Sequence, residues 1–359
     1  MNSQYNQLDM FVKTSEEDYT FLDVCNNLHS YSQSEATNKL YTYFKKKGFP
    51  YYEISEVEKK IHINKLINFN HMTLLEDDNI NQSMHCLRLA WSYFPHSWSV
   101  QCGKSKYTPM DIFNKEDLFK KTLKKTYDYC IKHEGGKMSL NRIRQSLKVY
   151  NGVQSVSNFR PTAAKIIYEL FSGDGVVWDM SSGCGGRLLG ALSSCKVKKY
   201  IGTEPSTKTY HGLLKIKEDF LYLKKEVELH KRGSEVFKPD KNSLDLCFTS
   251  PPYFDTEKYS NELTQSYIKY SSEKDWIDGF LTKTIENCYH GLKKNSYMVL
   301  NIAKTNNAKN IEKDLIKISK KIGFKFIKIL KLCLSSISGN GVKYEPIYIF
   351  KKEKNGTSK

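Results

Sequence analysis

The chain has 359 residues, 39% of them apolar and 13% aromatic, which excludes a disordered protein and leaves room for one large core or two smaller ones. Its formal net charge of +17, carried mostly by lysine, points to an anionic partner, nucleic acid being the usual one. A lysine-rich set of solvated faces is the bland reading of the same excess.

The opening MNSQYNQLDMF has no basic segment followed by an apolar one, so no secretory signal is expected. No run reaches the roughly 18 apolar residues of a membrane span, and a cytoplasmic protein is expected. The nine cysteines are scattered without a CxxC pair. They suggest neither a metal site nor a disulfide framework.

Up to about residue 150 the pattern is mixed and shows no regular alternation. LAWSYFPHSWSV (residues 89–100) clusters Trp91, Tyr93, Phe94 and Trp98 just before Lys104 and Lys106. Such a cluster either stacks bases and meets phosphates or is a buried core with surface lysines, the second being favoured. EDLFKKTLKKTYDYCIKH (116–133) has helical periodicity. Residues 1–150 are expected to form a recognition or accessory region, and 151–359 a catalytic domain.

From about Ser157 the texture changes. RPTAAKIIYELF (160–171) reads as a helix and VVWDM (176–180) as a short buried strand, followed by the glycine-rich SSGCGGRLLGAL. KYIGTEP (199–205), EVELHKRG (226–233), SLDLCF (243–248) and SYMVLNIA (296–303) read as further strands with helical segments between them. FKFIKILKLCL and EPIYIFKK, joined by a Ser/Gly-rich link, permit an antiparallel hairpin at one edge. Strands alternating with helices imply βαβ units, hence an α/β fold with seven strands in a mainly parallel sheet.

The glycine turn follows Asp179 at a strand end, and Glu204 lies at the end of the next strand, a spacing suited to a carboxylate on a ribose. Arg187 stands where a phosphate-binding loop would need GK[ST], so phosphoryl transfer is not expected. After SLDLCF comes TSPPYFD (249–255), a costly corner, since each proline fixes its φ, removes an N–H and restricts its predecessor.

Taken together, WDMSSGCGGRLLGAL, YIGTEPS and DLCFTSPPYFDTEKYS resemble the amino-group DNA methyltransferases that use S-adenosylmethionine, and most of all the modification methylases of phages and mobile elements. The likeness spans roughly residues 157–352 and ends on an EPI-type strand. It implies a class I, Rossmann-like methyltransferase sheet of seven strands, mainly parallel with an antiparallel final strand, and a largely helical N-terminal region. It implies S-adenosylmethionine as cofactor and DNA as partner, leaves room for a cognate restriction nuclease, and sets no oligomeric state.

Carried over by position, Asp179, Ser181, Gly183 and Gly185 would line the methionine side of the cofactor, and Glu204 would hold its ribose. Ser234 or Glu235 would lie near the adenine. The segment with Asn158, Arg160, Pro161 and Thr162 would touch the methionine moiety. Ser250, Pro251, Pro252 and Tyr253 would form the catalytic tetrapeptide, with acceptors for an amine and a ring to stack on a flipped base. Ser181 departs from the family, which usually has an aromatic there.

Asp255 and Glu257 read as ordinary loop acids. By the habit of the family it resembles, the serine of SPPY leans toward cytosine N4 over adenine N6, both remaining open. An RNA base methyltransferase and a catalytically silent nucleic-acid-binding protein are the alternatives.

Overall fold

The computed structural model describes residues 16–353 apart from 82, 255, 306–307 and 337–341. The chain divides into two compact units, one made of residues 1–51 and 104–155, the other of 52–103 and 156–359. The single boundary expected near 150 is therefore not how the chain divides. Residues 52–103 leave the first unit, pack with the sheet, and return.

The first unit is helical, as expected. Its helices Glu16–Asn26, Gln33–Lys47, Glu116–His133 and Leu140–Val149 surround Leu28, Leu40, Phe44, Phe119, Leu123 and Leu147. Ser32 opens Gln33–Lys47 with a capping box to Glu35, satisfying two backbone donors that a helix start leaves orphaned. Arg144, buried at the core, donates to the carbonyls of Pro50 and Tyr51.

The second unit is built on strands β1 (Leu75–Glu76), β2 (Asn79–Ile80), β3 (Gln101–Cys102), β4 (Val176–Asp179), β5 (Lys199–Thr203), β6 (Glu226–His230), β7 (Leu244–Thr249), β8 (Glu257–Lys258), β9 (Leu292–Asn301), β10 (Phe324–Ser336) and β11 (Val342–Lys352). Nine of them form one sheet in the order β1-β2-β10-β11-β9-β7-β4-β5-β6, and β3 pairs with β8. The five strands β6, β5, β4, β7 and β9 run parallel, while β11 is antiparallel to both neighbours. The expected seven strands with an antiparallel last one are all present.

The antiparallel hairpin expected at one edge is the β10–β11 pair, with β11 against β9 and β10 outside it. One feature goes beyond expectation. The outer side of β10 is then covered at Lys331 and Leu332 by β2, which shields part of a thirteen-residue strand from pairing with another chain.

β7 has all six residues buried, as a central parallel strand covered on both faces requires. One face carries Leu246, Phe248, Val299 and Ile347 with helices Pro161–Phe171 and Gly186–Ser193; the other carries Cys247, Met298 and Phe350 with helices Lys283–Gly291 and Ile311–Ile322.

The segment 52–103 is fastened to the first face by a buried lysine. Lys165, 4% exposed, donates from Nζ to the carbonyls of Leu66, Ile67 and Phe69 at 3.0, 2.7 and 3.2 Å. These close the C-terminal end of helix Glu56–Ile67, where a cation also meets the negative end of the helix dipole. Replacing Lys165 by Met keeps the stem and removes the charge, leaving three buried carbonyls unsatisfied. The expected loss is about 2 kcal/mol of unfolding free energy, read from urea denaturation.

The aromatic run 89–100 belongs to the same packing. Trp91, Tyr93, Phe94 and Trp98 are all buried, so they are core and not a base-stacking platform. Tyr93 donates to Asp219 at 2.6 Å, and His96 pairs with Thr209 at 3.0 Å. Among the described residues, no helix is long and apolar enough to cross a membrane.

Candidate active site

The strand order reverses between β4 and β7, since β4 leads to β5 on one side while β7 lies on the other. In an open α/β sheet a crevice opens beyond the strand ends at such a point. Both sequence motifs arrive there, the glycine turn from β4 and the TSPPY corner from β7.

The two are tied together directly. Thr249 Oγ1 donates to Asp179 Oδ1 at 2.9 Å and accepts from the Ser181 N–H at 3.1 Å. Thr249 has no role among the sequence expectations, yet it is the link between the motifs.

Asp179 is wholly enclosed. Its Oδ2 accepts from Arg187 Nε at 2.9 Å and from Tyr200 Oη at 2.8 Å, so both its oxygens are occupied inside the protein. It was expected to line the cofactor site; the structure makes it the post that joins the glycine turn to Tyr200 and Thr249. The reason is Arg187, in the first turn of helix Gly186–Ser193, whose guanidinium also donates to the Ser181 carbonyl. Burial is the largest influence on Arg187 and opposes its charge, but Asp179 together with Tyr200 and Tyr168 more than offsets it and holds the guanidinium more firmly protonated than usual.

The turn itself depends on glycine. Gly185 precedes helix Gly186–Ser193 with φ +73°, a left-handed backbone that side chains disfavour, and Phe94 and Ile216 close over it. At Gly186 a Cβ would enter the Phe159 carbonyl. That close approach seats the segment 158–162 against the turn, and Asn158 Nδ2 adds a bond to the Cys184 carbonyl at 2.8 Å.

Arg160 is turned elsewhere: its guanidinium donates to the Cys333 and Leu334 carbonyls of β10 at 2.6 and 2.7 Å. Pro161 starts the helix Pro161–Phe171, where its missing N–H costs nothing, and Thr162 Oγ1 is buried without a partner.

Glu204, just past β5, is 8% exposed and faces the glycine turn. Its Oε2 accepts from the Gly183 N–H at 3.0 Å and its Oε1 from the Ser206 N–H at 3.0 Å. Burial pushes its carboxyl up to about 7; the two amides oppose that rise, nearby Asp179 adds to it, and Arg187 opposes it.

Beyond β6, the Ser234 and Thr284 hydroxyls pair at 2.8 Å and Ser234 is buried, so of the pair expected near an adenine Glu235 is the one with an unsatisfied group to offer. Glu235 Oε1 pairs with Lys269 at 2.7 Å, while its Oε2 is buried without a partner.

At the corner, Pro251 is buried and Ser250, Pro252 and Tyr253 are partly exposed. Ser250 Oγ lies 3.5 Å from Tyr253 Oη. Phe254 takes φ +54°, a strained conformation for an aromatic residue, and its ring packs edge-on against Trp276 at 6.2 Å.

Glu257 is no ordinary loop acid. It lies in β8, accepts the Ser157 N–H at 3.1 Å and the Tyr259 hydroxyl, and is pushed upward by burial. Asp255 falls outside the described residues. Nearby, Glu262 accepts from the Thr207 N–H at 3.0 Å and from its hydroxyl at 2.6 Å, drawing the loop after the corner over the start of helix Thr207–Asp219.

The donor set suits S-adenosylmethionine. A Cβ built on Gly183 would meet nothing nearer than 3.7 Å, so space lies open in front of the turn. Glu204 offers a carboxylate for a ribose diol there, and Glu235 Oε2 lacks a donor such as an adenine amine supplies.

Seven strands in this order, counted from β6 as third-second-first-fourth-fifth-seventh-sixth, with a glycine turn after the first and a carboxylate after the second, define the class I fold of S-adenosylmethionine-dependent methyltransferases. Within that class, residues 244–359 match a family model described as DNA methylase.

Solved structures similar to the chain include a methyltransferase from Pyrococcus furiosus, at 16% identity, covering 59% of this chain and 94% of that one, with a TM-score of 0.38. A SAM-dependent O-methyltransferase from Thermotoga maritima has 12% identity, covers 56% and 68% of the two chains, and scores 0.35. The cyclase SpnF has 10% identity over 48% of this chain, scores 0.36, and is spanned over 60% of its own length. No curated protein matches the chain. The fold rests on the strand order and not on these likenesses.

Proposed function

We propose that the protein moves a methyl group from S-adenosylmethionine to the exocyclic amine of a base in DNA, cytosine N4 or adenine N6. The observation that carries this reading is the Thr249–Asp179 hydrogen bond, which fastens the TSPPY corner to the glycine turn across neighbouring strands. Glu204 is proposed to hold the ribose, Glu235 the adenine, and the glycine turn with Asn158 the methionine end. The bound cofactor supplies an electrophilic methyl carbon.

An aromatic amine is a poor nucleophile because its lone pair is delocalised into the ring. Ser250 Oγ and the Pro251 carbonyl accept hydrogen bonds from its two protons, drawing the nitrogen toward tetrahedral geometry as attack proceeds. The prolines fix the carbonyl's direction and bring no N–H to compete for it. Tyr253 stacks on the base once it has left the duplex.

The helical unit, with exposed Lys121, Lys124 and Lys125 on one helix, is the proposed DNA-recognition part. Ser250 in the first position of the tetrapeptide tilts the reading toward cytosine.

The test is expression in a methylation-deficient host followed by modification-sensitive sequencing, with labelled S-adenosylmethionine assays on duplex DNA and on RNA. Methyl-cytosine or methyl-adenine at a recurring motif is expected. Label appearing in RNA, with none in any DNA, would falsify the reading.

A further inference from the structure

Tyr253 is anchored at its far end. Its hydroxyl lies 3.3 Å from the Asn301 carbonyl oxygen and 3.4 Å from Asn301 Oδ1, with Ser250 Oγ at 3.5 Å. Asn301 is the last residue of β9 and is 2% exposed. Its Nδ2 donates to the Pro346 carbonyl at 3.1 Å, so the side chain is locked between β11 and the tyrosine.

The sheet places one more group here. Asn301 is opposite Ile347, and Glu345 lies two residues before Ile347 on the same face of β11, just past the end of β9. Because β11 runs antiparallel, its first residues stand at the edge where the parallel strands end. There the Glu345 carboxylate meets the side chains of Asn301 and Tyr253. A tyrosine held only at its Cα can swing about χ1; one hydrogen-bonded at its hydroxyl cannot. This one follows two prolines and precedes a strained Phe254, so the corner is fixed at both ends.

We propose that Asn301 and Glu345 are positioning residues for methyl transfer, fixing the Tyr253 hydroxyl and through it the ring that receives the base and the Ser250 oxygen that accepts a hydrogen bond from the amine. The proposal rests on the methyl-transfer reading above. The charged and titratable groups facing Glu345 are Arg160 ahead of helix Pro161–Phe171, Lys343 on β11, Glu257 on β8 and Tyr253 itself. Burial displaces the Glu345 carboxyl upward; Asn301, Lys343, Tyr253 and Arg160 each oppose that rise.

The test is a double-mutant cycle on the full chain, with Asn301→Ala and Glu345→Gln made alone and in a Tyr253→Phe background. Methyl transfer to DNA is followed at saturating cofactor as a function of pH, alongside calorimetric cofactor affinity and thermal melting. Each single substitution is expected to lower kcat about tenfold with cofactor affinity unchanged. Glu345→Gln should also flatten the acidic limb of the kcat profile. In the Tyr253→Phe background, where the anchor is already gone, neither change should cost more than about twofold.

Should Asn301→Ala not fold, the nearly isosteric Glu345→Gln carries the cycle. Singles within about twofold of the parent, or equal losses in both backgrounds, overturn the positioning role. A wild-type protein that binds cofactor but transfers nothing to DNA overturns the methyl-transfer reading, and this proposal with it.

Discussion

Ser250→Ala is expected to lower kcat for methyl transfer by about a hundredfold while leaving cofactor affinity unchanged. Ser250 sits just past β7, partly exposed and loosely paired with Tyr253 at 3.5 Å, so its oxygen is free to accept a hydrogen bond from an incoming amine. Losing one preorganised hydrogen-bonding group at a reacting centre typically costs two to three orders of magnitude. The lower figure applies here because the Pro251 carbonyl still accepts a hydrogen bond from the second N–H. Tyr253→Ala should lose at least as much, since it removes the stacking ring together with the hydroxyl bridging Ser250 and Asn301. The loss should fall on kcat and on DNA binding, because the two hydroxyls pair with each other, and that of Tyr253 with Asn301. Single-turnover transfer of labelled methyl separates these effects. A Ser250→Ala enzyme within threefold of the parent would remove serine from the chemistry.

The sheet was readable because its strands alternate with helices and each buries a short apolar run. The helix expected over 116–133 spans Glu116–His133, and the strand expected over 324–334 lies within β10. What escaped were the two-residue strands β1, β2, β3 and β8, too short to carry a period. The division of the chain escaped with them, since a segment that packs against a distant sheet looks in sequence like its helical neighbours. The site was legible where backbone chemistry is local, as in the glycines and the prolines. It was not legible where partners meet across the sheet. Arg187, Tyr200 and Thr249 converge on Asp179 from three elements, and Asn301 reaches Tyr253 from 48 residues away. Asp179 was read as a cofactor ligand because sequence shows an acid after a strand; it does not show that the acid's oxygens are already taken.

Glu204 should make cofactor binding pH-dependent across neutrality. Its carboxyl is pushed from an ordinary 4.5 up to about 7, chiefly because it is buried, so the free protein is largely protonated there at pH 6 and ionised at pH 8. A ribose diol donates hydrogen bonds, which the carboxylate accepts better than the acid does. Binding must therefore expel the proton at low pH, and affinity should fall about tenfold from pH 8 to pH 6. Glu204→Gln should flatten that dependence and weaken binding at pH 8 by roughly ten- to a hundredfold, the range for losing hydrogen bonds to a charged group. The ligand's own titration is common to both proteins and cancels in the comparison. The apoprotein should show the linked effect in its stability. Because the folded carboxyl titrates above the unfolded one, the folded state holds a proton through the window from about 4.5 to 7 that the unfolded chain has released. Glu204 thus favours folding at the acid end of that window, and this contribution is lost as pH rises through it. Calorimetry at pH 6, 7 and 8, with denaturant melts of the free protein, measures both; a parallel pH dependence in the wild type and Glu204→Gln would remove the carboxylate from the ribose site.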